Sequence, residues 1–117
     1  MSALALISDL AMQSQVSAAA ARANVALKVL GSAEALLAEA ATAQPRLIVL
    51  DLSHPGLETG ALAARLFEAV PGVTLVAFGP HVHHGRLEAA RQAGCQVVVS
   101  RGEFHARMEQ ILKQFGG

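Results

Sequence analysis

The sequence predicts an α/β protein: a doubly wound, parallel sheet of five strands with helices on both faces, arranged in three layers. Three observations carry this. Short apolar runs alternate strictly with segments of helical period along all 117 residues. The connections between them are short, and Pro, Gly and Ser punctuate them. The central run, Leu47–Leu50, is apolar at successive positions and ends in Asp51, as expected of a strand buried on both faces.

Ala3–Ile7 reads as strand one, followed by Ser8-Asp9. Helix one, from Leu10 to about Ala23, places Met12, Val16 and Ala19 or Ala20 on one side. Val25–Leu30 is strand two, and Lys28 in its middle assigns it an edge or one wet face. Ser32 is placed to cap helix two, Ala33–Ala43, which is built of strong helix formers. Pro45 stops that helix and strand three follows. Pro55-Gly56 turn the chain into helix three, Glu58–Val70, with Leu62, Leu66 and Ala69 inward. Val73–Phe78 is strand four, closed by Gly79-Pro80. Helix four is Arg86–Ala93, and Gly94 is suited to its left-handed terminus. Gln96–Val99 is strand five, and Ser100-Arg101-Gly102 is a loop. Helix five runs from Glu103 to about Phe115, with Phe104, Met108, Ile111 or Leu112 and Phe115 in one stripe. Gly116-Gly117 reads as a frayed end.

Five strands favour the flavodoxin-like order 2-1-3-4-5, in which strands one and three flank the switch point. Their C-terminal ends carry Ser8-Asp9 and Asp51. Ligands and chemistry gather at that edge in open α/β sheets.

Composition narrows the function classes. With 53% hydrophobic and 15% charged residues the chain is expected to fold as one domain over residues 1–117, with no linker or repeat. A formal charge of zero gives no attraction to nucleic acid or anionic lipid. No apolar run reaches the roughly 20 residues of a membrane span, and Ala3–Ile7 lacks the basic flank of a secretory signal. The lone Cys95 fits a reducing, cytoplasmic compartment and reads as a small core residue. Asp9-Leu10-Ala11-Met12 is not a glycine-rich phosphate loop, so a dinucleotide site is not expected. The chain has no Trp or Tyr to stack a flavin, and no nucleophile-elbow motif. It is expected not to be an enzyme.

Leu47–Gly60, LIVLDLSHPGLETG, resembles the third strand and following loop of response-regulator receiver domains (CheY-like), and all five βα units fall in register with that family. Gly94–Val99 resembles the family's glycine-led start of strand five. The resemblance implies a receiver module of two-component phosphorelay signalling, with a histidine kinase or downstream effector as partner. It implies Asp51 as phospho-acceptor, Asp9 with Asp51 as ligands of a weakly held Mg²⁺, and the positions of Gly79 and Arg101 as phosphoryl-contacting.

Three positions depart from the family pattern. The acidic pair is Ser8-Asp9, so one carboxylate remains. Gly79 stands where the family has Ser or Thr. Arg101 stands where it has Lys, and Gly102 where it usually has Pro. Guanidinium suits phosphate, yet it differs from ammonium in reach and hydration. The pattern is that of a receiver with a degraded site, a pseudo-receiver. Two further expectations come from the residues. His54, His81 and His83, beside His84 and near Asp51, offer an alternative transition-metal set or simply a solvated polar loop. Arg86, Leu87 and Ala90 mark helix four as a surface for a partner or a homodimer.

Overall fold

Strand order in the sheet is β2-β1-β3-β4-β5, with every pairing parallel. The computed structural model describes residues 2–117. Along the chain the elements are β1 (Ser2–Leu6), α1 (Leu10–Ala23), β2 (Ala26–Leu30), α2 (Ala33–Ala43), β3 (Leu47–Asp51), α3 (Thr59–Ala69), β4 (Thr74–Gly79), α4 (His84–Gln92), β5 (Val97–Ser100) and α5 (Arg101–Ile111). A turn of π-helix, Leu112–Gly116, continues α5.

β3 is buried along its whole length between β1 and β4. Successive side chains leave a strand on opposite faces. Leu47 and Val49 therefore join Ala3, Ala5, Val76, Phe78, Val16, Phe104 and Met108 under α1 and α5. Ile48 and Leu50 join Leu4, Leu6, Leu75, Leu36, Leu62 and Leu66 under α2, α3 and α4. The two packed faces are the two halves of the predicted three-layer architecture, and β2, with exposed Lys28, is an edge strand as expected.

Local capping sets the element ends. The Asp9 carboxylate accepts from the Ala11 N–H at the start of α1, and Ser32 Oγ accepts from the Ala35 N–H at the start of α2. Gly94 has φ +103°, a left-handed conformation that allows the chain to leave α4 and enter β5. Cys95 is buried, as its setting in the sequence implied.

Four sequence expectations need correction. Ser100 and Arg101 are not a loop. Ser100 ends β5 and its Oγ accepts from the Glu103 N–H, so α5 begins at Arg101. α4 begins at His84, two residues before the expected start. Leu87 and Ala90 are not on its outer surface; they pack into the core against β4 and β5. The end of the chain is not frayed. The wider π turn brings Gly116 into a buried position against Val25, Leu47 and Ala3, and Arg46 Nη1 donates to the Gly117 main-chain oxygen at 3.1 Å.

Candidate functional site at the C-terminal edge of the sheet

Parallel strands deliver their ends to one edge, so Asp9, Asp51, Gly79 and Arg101 all lie there, after β1, β3, β4 and β5. Asp51 is the only buried charged residue among the described residues, at 1% exposure. Its Oδ1 accepts from the Ser53 N–H at 2.9 Å, which fixes the first turn of the β3–α3 loop. Its Oδ2 has no hydrogen-bond partner among the described residues. No fully buried side-chain polar atom lacks a partner, so that oxygen opens narrowly onto the surface. A buried carboxylate with one oxygen unpaired is costly and is kept where it has chemistry or binding to perform.

Asp9 is fully engaged. Oδ1 caps α1 through the Ala11 N–H at 3.0 Å, and Oδ2 accepts from Arg101 Nη2 in an ion pair that ties β1 to α5. Both side chains are in favourable and unfavourable fields respectively. A carboxylate suits the N-terminus of α1, while a guanidinium at the first position of α5 meets the positive end of that helix. Asp9 offsets the second effect. The Arg101 guanidinium lies 6.0 Å from the Phe78 ring centroid, and Phe78 stacks on Phe104 at 4.3 Å. An aromatic floor thus supports the cation.

Gly79 closes β4 directly against Leu52. A Cβ at Gly79 would stand 3.1 Å from Leu52 Cβ, so the leucine occupies the room that a hydroxyl side chain would need. Leu52 is itself held: its N–H donates to Phe78 O at 2.8 Å, and its carbonyl accepts from Arg86 Nη1 at 3.2 Å. Arg86 therefore ties α4 to the β3–α3 loop. Arg86 is exposed, as the sequence suggests, but nothing in the sequence alone points to Leu52 as its partner. The clue to the contact of Leu52 with Gly79 was the pairing of a glycine at the end of β4 with a large apolar residue just after β3.

The histidines are not brought together. His54 Nε2 lies 2.9 Å from Gly31 O and Nδ1 lies 3.1 Å from Pro55 O, which turns the ring toward the end of β2. His81 and His83 are exposed on the β4–α4 loop, on the other side of β3. Among the described residues no group of three or more His, Cys, Asp or Glu side chains is gathered to hold a metal. The alternative set of His54, His81 and His83 with Asp51 therefore fails on geometry. The donors implied for Mg²⁺ do not fit it in this arrangement either. A hard dication wants about six oxygen ligands. Asp9 has both oxygens engaged, Asp51 has one, and Ser8 supplies no carboxylate.

No protein-family model matches the chain, and no curated protein matches it. Solved structures do. NtrX from Brucella abortus superposes with a TM-score of 0.84 at 17% identity, over 97% of this chain and 26% of that one. The chain thus spans about a quarter of the length of that protein. A CheY-like protein (TadZ) from Pseudomonas aeruginosa PAO1 matches over 99% of both chains, with a TM-score of 0.79 and 23% identity. The beryllofluoride-activated NtrC4 receiver domain dimer gives 0.80 at 13% identity, over 97% of this chain and 98% of that one. The architecture is the flavodoxin-like, CheY-like fold of response-regulator receiver domains. Among the described residues, no helix is long and apolar enough to cross a membrane.

Proposed function

We propose that this chain is a receiver-type regulatory module that works by protein–protein contact and does not depend on phosphorylation of Asp51. The observation that carries this reading is the Asp9–Arg101 ion pair. It commits the remaining carboxylate of the acidic pair and the residue at the lysine position to each other. Neither is then free for Mg²⁺ or for a phosphoryl group. Leu52 filling the space at Gly79 supports the same reading, because no hydroxyl can report on phosphorylation there. The module carries out no turnover of its own. Its partner is a histidine kinase or a downstream effector. Contacts through α4, including a homodimer, would use the exposed Glu88, Ala89, Arg91 and Gln92, since Leu87 and Ala90 belong to the core.

One observation favours a second reading. Asp51 Oδ2 is unpaired and opens on the surface, as a nucleophile toward phosphorus must. It would form the O–P bond as the P–N bond of a phosphohistidine breaks, and the leaving imidazole would take a proton from solvent. Arg101 would first have to leave Asp9 and Mg²⁺ take its place.

Intact mass after incubation with acetyl phosphate and Mg²⁺, with Asp51→Asn as control, separates the two. The expected result is no adduct on either protein. A phosphoryl adduct on the parent but not on Asp51→Asn would overturn the first reading in favour of the second.

A further inference from the structure

The edge of the sheet holds a buried carboxylate, Asp51, and an arginine, Arg101, paired with a second carboxylate, Asp9. Asp51 is 1% exposed with one unpaired oxygen. Beside it in the fold, Asp9 is bonded to a guanidinium that the Phe78 ring supports from below. Arg101 thus offsets one of the two carboxylate charges at this edge, that of Asp9, and leaves Asp51 as the second. A metal ion arriving here would have to compete with the Arg101 guanidinium for Asp9, both of whose oxygens already accept a hydrogen bond.

We infer that Arg101 is the resident cation of this site, a covalently tethered replacement for a divalent ion, and that it keeps Mg²⁺ out. The inference rests on the phosphorylation-independent reading above and deepens it. Arg101 is then a positioning residue: it holds Asp9, and through Asp9 the β1–α1 turn, in the arrangement that a bound metal would otherwise impose. Two features make a guanidinium suited to this. It lies over an aromatic ring, 6.0 Å from the Phe78 centroid, and its N–H edge donates to the Asp9 carboxylate. Withdrawing it should leave two carboxylates, Asp9 and Asp51, at the ends of the adjacent strands β1 and β3 with no cation between the strand ends, oxygen donors of the kind a hard dication takes.

The test is thermal melting of the full chain with and without MgCl₂, at ionic strength matched with choline chloride, after treatment with EDTA. The variants are Arg101→Ala, Arg101→Gln and the double variant Arg101→Ala with Asp51→Asn. The parent should melt at the same temperature in both buffers. Arg101→Ala should melt about 5 °C higher with Mg²⁺ well above its dissociation constant, and the double variant should lose that gain. Arg101→Gln keeps a donor and side-chain packing but no charge, and should also gain from Mg²⁺. A parent that gains as much as Arg101→Ala would overturn the inference, as would variants that gain nothing. Loss of the folded state in both single variants would make Arg101 a structural residue and overturn it too. No phosphoryl donor is present, so failure here is distinct from failure of the functional reading, which turns on an adduct in the parent.

Discussion

At the N-terminal ends of the strands, apolar side chains and the last turn of the chain close the sheet; at the C-terminal ends, a buried carboxylate and an ion pair stand in the equivalent place. The first end has Pro45, Leu47, Val25 and Gly116 buried together, with Arg46 bonded to the Gly117 main chain. The second has Asp51 at 1% exposure with one oxygen unpaired, and Asp9 tied to Arg101. Burial of apolar surface stabilises, while burial of an incompletely paired charge costs. The contrast separates the end built for stability from the end that gives some stability up.

The largest expected effect lies at the closed end. A Cβ at Gly116 would meet Val25 Cγ1 at 3.1 Å and Leu47 Cδ2 at 3.5 Å. Gly116→Val should overpack this seam and lower the stability by about 1–3 kcal/mol in urea unfolding. Unchanged stability would mean that the tail does not close this end, and the contrast between the two ends would fail. At the open end the sign should reverse. Asp51→Asn keeps an oxygen for the Ser53 N–H and removes the buried charge. Its stability should stay level or rise by up to about 1 kcal/mol. A clear loss would show that the carboxylate charge is itself held by the fold.

The elements and the two core faces were legible in the sequence because they follow from periodicity, and the sheet order because five alternating βα units favour it. Leu47–Leu50, a four-residue apolar run between Pro45 and the Pro55-Gly56 turn, reads as a strand buried on both faces, and Met12, Val16 and Ala19 recur at helical spacing. What escaped were features set by long-range contact. Gly116 looks like a loose end in the sequence, and its burial depends on where α5 meets β1 and β3. Leu87 and Ala90 were read as surface because a short, lightly charged helix gives a weak periodic signal. At the site, the sequence places Asp9, Asp51, Gly79 and Arg101 at one edge of the sheet, but it does not show how they pair. Asp9 and Arg101 are 92 residues apart in sequence, and nothing local says that a lone acid and a substituted arginine satisfy each other. His54 was grouped with His81 and His83 by neighbouring loops, whereas its bond to Gly31 O draws it to the other side.

The smallest effect belongs to Cys95, at the start of β5 on the closed side. Burial raises its thiol from 9.0 to about 11, because the thiolate would lose its hydration there. The unfolded thiol ionises first as pH rises, so the unfolded state releases a proton that the folded state keeps. The stability that this neutral thiol supports is complete below about pH 9 and declines as pH rises toward 11. Melting temperature measured between pH 8 and 11 should therefore fall more steeply for the parent than for Cys95→Ala. Equal slopes would mean that the thiol is reached by water, and that the closed end is less closed than Gly116 and Leu47 make it.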